Sequence, residues 1–307
     1  MAEPLAPAGN RALCGLVVTF HPDEAVTDNL RAIVQECGTA IVVDNGSGPD
    51  ALARLAAVDG VTLVPLEKNL GVATALNRGA GRALKNDCQW VVTFDQDSRP
   101  EPGFAAALWA THLARPRAAV IGPCIHEEAS CAGEYRWVRR HPRWPGCYER
   151  VPCRGPWLDH VTMVVTSGSM VELAAWQALG GFEEGLFIDY VDIDYCLRVI
   201  RAGREVAVAG GAVLLHRLGA RRSARWLGKE FRPMHHAAFR HYYIARNRII
   251  VWRRHALAVP HWAAFDLCFG VYNLFRVLVF EERRWQKIRA MLRGTWDGLR
   301  GRKGPRQ

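Results

Sequence analysis

The chain has 307 residues, 50% of them hydrophobic and 23% charged, a composition typical of a folded globular protein and not of a disordered one. Its nine cysteines are an odd number without paired spacing, which favours reduced thiols over a disulfide framework. The net charge of +10 conceals an asymmetry, because residues 1–216 hold 19 Lys and Arg against 25 Asp and Glu, whereas residues 217–307 hold 21 against 5.

The first half of the chain alternates short apolar runs with longer amphipathic stretches. The predicted strands are 13–20, 40–43, 61–65, 90–94 and 118–122, and the predicted helices are 24–36, 72–85 and 103–114. This rhythm predicts an α/β fold with a doubly wound, mostly parallel sheet of Rossmann-like type. In such a sheet the chemistry is expected at the carboxyl ends of the strands.

Polar residues directly follow several of these strands. Asp95 and Asp97 come just after the apolar run that ends at Phe94, where two carboxylates can hold a hard divalent cation; a simple turn is an equally weighted alternative. Asp44 can accept a hydrogen bond from the imide N–H of uracil or thymine, with an Asp-Asn-Gly turn as the favoured alternative when it is taken alone. The expected donor-binding residues are Thr19, His21, Pro22, Asp44, Asn45, Ser47, Asn69, Gly71, Asp95 and Gln96.

The rhythm breaks between about 124 and 160, which indicates a long loop or a small inserted hairpin. A short helix near 170–179 is expected next, and then a helix that begins near Tyr190. Asp192 falls in the first turn of that helix, where the helix dipole favours an ionised carboxylate, as a general base requires. His216 ends the last strand and could complete a metal site with Asp97. The expected acceptor-binding residues are Ser167, Gly168, Ser169, Asp189 and Tyr190.

After residue 220 the pattern is helical and basic to the end, which predicts a domain at 1–220 followed by a segment at 221–307. The N-terminus does not resemble a signal peptide. A spanning helix is not expected, because Asp266, Asn273 and Arg276 interrupt the most apolar stretch. Arginines interleaved with aromatics favour contact with a membrane surface, and an ordinary helical subdomain with the aromatics packed inward is equally weighted.

Several motifs occur in a telling order over about 220 residues: VVTFHP, VVDNGS, N-x-G, FDQDS, SGS, GFEEGLFIDYVDIDYCLR and LLHRLG. Together they resemble the family 2 inverting glycosyltransferases of GT-A fold, and most closely the bacterial rhamnosyltransferases. The later RHYYIARN segment points to the same branch. Asp194-Tyr195 departs from the Glu-Trp more usual there, which leaves the acceptor undetermined.

The resemblance implies a transfer of rhamnose from dTDP-rhamnose to a glycan or lipid-linked glycan acceptor in cell-surface polysaccharide synthesis. It implies that Asp44 contacts the base and that Asp95 and Asp97 contact the ribose and an Mg²⁺ or Mn²⁺ ion. It also implies that His216 lies near the metal and that Asp192 deprotonates the acceptor. Such an enzyme is expected in the cytoplasm or on the inner face of the plasma membrane.

Two alternatives stay open. One is a transferase for UDP-galactofuranose or UDP-N-acetylglucosamine. The more remote one is a nucleic-acid-binding protein that uses the basic segment. The acidic clusters at strand ends argue against nucleic acid as a partner, and the oligomeric state is not predicted.

Overall fold

The structure is a computed structural model that describes residues 12–126, 135–216, 224–226, 229–231 and 236–306. The chain divides into two compact units. The first comprises Met1–Trp137, Arg150–Glu184 and Val191–Arg217, and the second comprises Val138–Glu149, Gly185–Tyr190 and Leu218–Gln307. The predicted division at residue 220 lies outside the described residues. The two short segments that join the second unit were not predicted.

The first unit begins with strands and helices in the predicted order. The strands are β1 (Leu13–Thr19), β2 (Ala40–Asp44), β3 (Val61–Pro65) and β4 (Trp90–Asp95), and the helices are α1 (Val26–Cys37), α2 (Pro49–Ala56) and α3 (Val72–Lys85). The predicted bounds of β3 and α3 are confirmed. Helix α2 was not predicted, although Gly48 and Pro49 mark its start, with proline in the first turn.

The remaining elements up to residue 216 follow in chain order, with residues 138–149 of β7, β8 and the turn between them belonging to the second unit. The strands are β5 (Ser98–Pro100), β6 (Ala118–His126), β7 (Arg136–Arg140), β8 (Tyr148–Pro152), β9 (Trp157–Leu158), β10 (Ser169–Glu172) and β11 (Glu205–His216), and the helices are α4 (Phe104–Ala114), α5 (Leu173–Ala178) and α6 (Val191–Arg201). Strands β7 and β8 pair as a separate two-stranded sheet, which confirms the inserted hairpin. The predicted helix at 170–179 is wrong in its first three residues, because β10 occupies residues 169–172 and α5 begins at Leu173.

Within the described residues nine strands form one mixed sheet in the order β3-β2-β1-β4-β10-β6-β11-β5, with β9 paired to β11. Strands β1 to β4 are mutually parallel, and only β10 runs against its neighbours β4 and β6 in the middle of the sheet. Thr19 lies opposite Asp44 in the β1–β2 pair, and Val18 lies opposite Asp95 in the β1–β4 pair. The polar strand ends therefore meet at one edge, here called the carboxyl edge.

The apolar core of the first unit lies between the sheet and its helices. The central strands are buried on both faces, as a doubly wound sheet requires. Gly79 of α3 packs directly on Leu16 of β1, and a Cβ atom at this glycine would overlap the leucine side chain. The close approach of α3 to β1 holds the start of that helix beside the carboxyl edge.

The second unit is mainly helical. Besides residues 138–149 of the β7–β8 hairpin, its elements are the small strands β12 (Ala224–Trp226) and β13 (Lys229–Phe231) and the helices α7 (Ala238–His255), α8 (Pro260–Phe280) and α9 (Arg284–Leu299). Helices α7 and α9 pack with their backbones almost in contact. A Cβ atom at Gly298 would come within 2.6 Å of the Arg246 carbonyl oxygen. Small residues at this contact allow the two helices to bury Tyr242 and Tyr243 against Ala290.

Helix α8 is 21 residues long and, by length and composition alone, apolar enough to cross a membrane, which the sequence analysis did not expect. Its polar residues do not interrupt the helix. Asp266, Asn273 and Arg276 are buried within the second unit, whereas Leu267 and Val271 are exposed. The polar side of α8 therefore packs inward and its apolar side faces outward.

Candidate active site

Asp44, at the end of β2, organises the turn that follows it. Its Oδ2 accepts hydrogen bonds from the hydroxyls of Thr19 (2.8 Å) and Ser47 (2.7 Å). Its Oδ1 accepts the backbone N–H groups of Gly46 (3.1 Å) and Ser47 (2.7 Å). Each carboxylate oxygen has room for about two hydrogen bonds, so this side chain is fully satisfied inside the protein.

This bonding bears on the expected contact between Asp44 and a nucleobase. Asp44 and Thr19 both have a relative exposure of 0%. An incoming imide N–H therefore reaches the carboxylate only where the half-buried Ser47 hydroxyl gives up its position. That hydroxyl also accepts the backbone N–H of His21 at 2.8 Å, so it joins the ends of β1 and β2.

The segment between β3 and α3 is tied to the same turn. The Asn45 side chain accepts the backbone N–H of Leu70 at 2.8 Å, and the exposed Asn69 accepts the N–H of Gly71 at 2.9 Å. Gly71 has φ 91°, a left-handed conformation that glycine adopts without strain. Helix α3 begins at the next residue. Its first N–H groups point toward the carboxyl edge, where they can attract an anion.

The end of β1 carries two exposed aromatic rings. The rings of Phe20 and His21 lie 4.2 Å apart, and Phe20 is 43% exposed. The Gln96 side chain accepts the Phe20 N–H at 2.8 Å, and its backbone carbonyl accepts the Asn29 amide at 2.9 Å. Pro22 is buried beneath this corner. Gln96 therefore fastens the turn after β4 to the aromatic corner after β1.

Asp95 and Asp97 flank the turn between β4 and β5, and both residues are exposed. Among the residues that the structure describes, no three His, Cys, Asp or Glu side chains converge as a metal site. Mg²⁺ is commonly held by one or two carboxylates, with water and substrate phosphates completing its shell. Two exposed carboxylates at the same edge of the sheet as an anion-attracting helix start fit that pattern.

The backbone of His216 lies where the sequence predicted it. In the antiparallel β11–β5 pair, His216 is the partner of Ser98, the residue after Asp97. Its side chain is outside the described part of the structure. The register thus brings the end of β11 to the end of β4, and the role of the imidazole stays a prediction.

The Ser167-Gly168-Ser169 turn lies directly beside Asp95. The Ser167 hydroxyl accepts the Asp95 N–H at 3.1 Å and bonds the Ser98 hydroxyl at 2.7 Å. The Ser169 hydroxyl donates to the Val165 carbonyl at 2.5 Å. Both serines are buried and already bonded to protein groups, so they shape the edge beneath the acidic turn.

Asp192 is half-buried in the first turn of α6, where its Oδ1 accepts the Ile193 N–H at 2.8 Å. Helix α6 packs on β6 and β11 and joins β11 through residues 202–204, so it runs antiparallel to that strand. Its N-terminus therefore points toward the carboxyl edge.

The packing of α6 on the sheet shows how far along the strands Asp192 lies. The Cys196 thiol lies against the Val164 backbone, and Val164 in turn covers Gly122 of β6, where a Cβ atom would come within 2.6 Å of Val164 Cγ1. Asp192 is one helical turn beyond Cys196, about 6 Å nearer the carboxyl ends of the strands. The structure thus places Asp192 at the same edge as Asp95.

The other acidic residues of this segment have structural partners. Asp194 is fully buried and forms an ion pair with Arg198 Nε at 2.8 Å. Asp189 and Tyr190 belong to the second unit, where the Asp189 carboxylate accepts Arg240 Nη2 at 2.6 Å and the Tyr190 hydroxyl donates to Asp266 at 2.6 Å.

Sequence reasoning placed residues 19–22 as a wall for the base but did not assign separate roles to two residues at this edge. It did not single out the Phe20 ring or the Ser98 hydroxyl, although both stood inside the motifs VVTFHP and FDQDS. The exposure of a phenylalanine at a strand end has no local sequence signal, because the partners that leave it uncovered are distant in the chain.

Comparisons with known proteins agree with this architecture. Residues 39–174 match the family model described as Glycosyl transferase family 2. The dTDP-rhamnosyl transferase RfbF of Shigella flexneri is 27% identical over 301 residues, which cover 95% of this chain and 97% of that protein. The N-acetylglucosaminyl-diphospho-decaprenol L-rhamnosyltransferase of Mycobacterium tuberculosis is 27% identical over 240 residues, which cover 66% of this chain and 74% of that protein.

Two solved structures share the fold. GalNAc-T7 with UDP, GalNAc and Mn²⁺ superposes with a TM-score of 0.58 at 13% identity, over 79% of this chain and 47% of that one, so this chain spans about half of its length. S. aureus TarS 1-349 superposes with a TM-score of 0.50 at 10% identity, over 94% of this chain and 72% of that one.

Proposed function

We propose that this chain is a family 2 glycosyltransferase that transfers rhamnose from dTDP-rhamnose to a glycan hydroxyl with inversion at the anomeric carbon. The match of residues 39–174 to the family model, the rhamnosyltransferase relatives and the GT-A fold support this proposal. The observation that supports the proposal most is that Asp95 and Asp97 follow β4 at the carboxyl edge and that the N-terminal turn of α6, with Asp192, points toward the same edge. The likeness to RfbF over 95% of the chain supports the choice of donor.

The donor nucleotide lies along the ends of β1 and β2 in this proposal. The exposed Phe20 and His21 rings form a wall for the base, and Asp44 receives its imide N–H after the Ser47 hydroxyl turns away. Asn69 and Gly71 present the start of α3 to the diphosphate. This arrangement suits a thymine or a uracil, because both carry the imide N–H.

Family 2 enzymes generally use a divalent metal ion. We assign the ion, Mg²⁺ or Mn²⁺, to Asp97 with Asp95 beside it, and the register places the His216 backbone next to this pair. When bound, such an ion neutralises negative charge on the departing nucleoside diphosphate. Both carboxylates are exposed, so the diphosphate can reach them.

Asp192 acts as the general base for the acceptor. Its carboxylate takes the proton from the acceptor hydroxyl as that oxygen attacks the anomeric carbon, on the face opposite the departing diphosphate. The first turn of α6 stabilises the carboxylate through the helix dipole. One displacement of this kind inverts the anomeric configuration.

A ligand panel tests the donor assignment. Melting temperatures measured with dTDP-rhamnose, UDP-galactofuranose, UDP-N-acetylglucosamine and a GDP-sugar, each with Mg²⁺ or with EDTA, should rise most for dTDP-rhamnose with Mg²⁺. At a ligand concentration of 100 times Kd the native state gains about 2.7 kcal/mol, which is several degrees for most domains. A larger shift with a UDP-sugar would replace the proposed donor.

The acceptor is proposed to be lipid-linked, with the second unit resting on the membrane surface. One relative is named for a diphospho-decaprenol acceptor. Helix α9 exposes an apolar stripe at intervals of seven, four and three residues, formed by Trp285 (70%), Leu292 (66%), Trp296 (53%) and Leu299 (55%). Not every aromatic of this segment faces out, because Trp262 is fully buried.

Vesicle binding tests this arrangement. Trp285→Ser combined with Trp296→Ser should reduce pelleting with phosphatidylglycerol vesicles about tenfold, since each substitution removes an aromatic ring that would lie at the membrane interface. Trp144→Ser is the matched control, because Trp144 is 66% exposed but lies outside the helices. Equal pelleting of the double variant and the wild type would show that α9 does not bind the membrane surface.

A further inference from the structure

The RHYYIARN segment, Arg240–Asn247 in the first half of α7, has no role in the chemistry described above. Within the second unit it contacts the loop Gly185–Tyr190, which ends directly before α6 and is here called the entry loop. Asp192 is two residues beyond the end of this loop. The contacts of the segment therefore bear on the conformation of the entry loop.

Asn247 binds the loop through its backbone. Its side-chain amide donates to the carbonyl oxygens of Leu186 (2.9 Å), Ile188 (2.8 Å) and Asp189 (2.9 Å). Asn247 is completely buried, and its own amide oxygen accepts Arg246 Nε at 2.9 Å. The two N–H groups of this amide thus serve three carbonyl groups within four residues of loop, with one hydrogen shared between two of them, which no apolar residue of similar size could do.

Arg246 extends the same grip toward the start of the loop. Its Nη2 donates to the carbonyl oxygens of Gly185 at 3.1 Å and Leu186 at 2.9 Å, and its Nη1 donates to Gly304 at 2.5 Å. Arg246 is almost fully buried. The guanidinium is planar and carries five fixed donors, so these bonds define the direction of the loop backbone.

Two further side chains of α7 hold the end of the loop. Arg240 reaches both carboxylate oxygens of Asp189, at 2.6 and 3.3 Å. Arg248 Nε donates to the Tyr190 hydroxyl at 2.9 Å, and that hydroxyl donates to Asp266 at 2.6 Å. The last two residues before α6 are therefore held by ionic and hydrogen-bonded contacts.

The loop held in this way is strained. Phe187 (φ 66°), Asp189 (φ 62°) and Tyr190 (φ 66°) all adopt the left-handed conformation that L-residues avoid. Three such residues within four positions would relax to the common regions if nothing opposed them. The Phe187 ring also stacks on Tyr243 of α7, with centroids 5.1 Å apart.

We propose that Arg240–Asn247 is a clamp that holds the entry loop in its left-handed form and so fixes the direction in which the chain enters α6. Asn247 and Arg240 are then positioning residues for Asp192, and Asp189 serves the clamp instead of binding the acceptor. This proposal rests on the proposed role of Asp192 as base.

Two variants of the clamp test it. Asn247→Asp keeps the shape but replaces the amide donors with a carboxylate facing three carbonyl oxygens. Arg240→Gln removes the ion pair at a partly exposed position, where folding is least at risk. Arg253→Gln is the matched control, because it removes the same charge from an exposed position of the same helix.

We expect kcat to fall about 100-fold in Asn247→Asp and about tenfold in Arg240→Gln, because small misplacements of a catalytic group have effects of this size. The KM for the donor should stay within about twofold, since the clamp does not touch donor-binding residues. Arg253→Gln should match the wild type, and Arg240→Lys should recover part of the lost kcat. Hydrogen exchange of the amides of residues 186–191 should accelerate in both clamp variants and not in the control.

Unchanged exchange in both variants would overturn the clamp, whatever the activity. Faster exchange with wild-type kcat would overturn the positioning role. If the wild-type enzyme transfers no sugar from any donor, the proposed function fails, and the exchange data still decide whether the clamp exists.

Discussion

Replacing Asp192 by asparagine should lower kcat by about 10³-fold or more while leaving the fold and donor binding intact. Asparagine is isosteric but cannot take a proton, and general-base catalysis contributes about 10²–10⁴ in rate. Asp192 is only half-buried, and its side chain accepts the adjacent Ile193 N–H, which the asparagine carbonyl can also accept. Single-turnover kinetics, together with calorimetric titration of the donor, measure the two effects separately.

Asp194→Asn is the control for this prediction. Asp194 lies two residues away but is fully buried against Arg198, so its loss removes the carboxylate that pairs with this guanidinium, which still donates to the Leu179 carbonyl. We expect a destabilisation of about 3 kcal/mol and a lower melting temperature. Near-normal turnover in a folded Asp192→Asn enzyme would show that another group is the base.

Replacing Asp97 by asparagine should abolish the dependence of donor binding on the divalent ion and lower kcat about 10³-fold. The neutral amide is a much weaker ligand for a hard cation than a carboxylate. Charge stabilisation by a bound ion is worth several kcal/mol in the transition state, which corresponds to this loss. The affinity for dTDP, measured by calorimetry with Mg²⁺ and with EDTA, is the readout.

Asp28→Asn is a suitable control, because Asp28 is an exposed acid on α1 whose described partner is the equally exposed Arg31. It should leave both dTDP affinity and its response to EDTA unchanged. If the affinity of the Asp97→Asn enzyme for dTDP still falls on addition of EDTA, the ion is held by ligands other than Asp97.

Much of the first unit could be predicted from the sequence, for local reasons. The strands β1 to β4 are apolar runs that end in turn-forming polar residues, so both their extent and the edge that they share follow from the pattern. Strand β10 could not be predicted in this way. Ser169–Glu172 is too short to show a period, and its place between β4 and β6 depends on partners at residues 90–93 and 120–121.

The roles of Asp44 as a contact to the base and of Asp189 as an acceptor ligand stay predictions, but the sequence could not show which protein groups bind these two carboxylates. Thr19, which donates to Asp44, lies 25 residues earlier in the chain. Arg240, which donates to Asp189, lies 51 residues later. Spacing along the sequence indicates which acidic residues stand at a strand or helix end. It does not indicate which of them form hydrogen bonds or ion pairs with residues of other elements.

The basic C-terminal segment was predicted as helical, and the direction of its aromatics was left open. The described part contains both outcomes, because Trp262 packs inward and Trp285 faces out. Helix α8 buries its polar side, so an ordinary amphipathic pattern would assign its faces the wrong way round.

Proton NMR of the reaction with dTDP-rhamnose, Mg²⁺ and a lipid-linked glycan acceptor tests the central claim most directly. The account predicts a new glycosidic anomeric signal of configuration opposite to that of the donor, present with the wild type and absent with Asp192→Asn. A product that retains the donor configuration would contradict it, as would an Asp192→Asn enzyme that forms the same product at the wild-type rate.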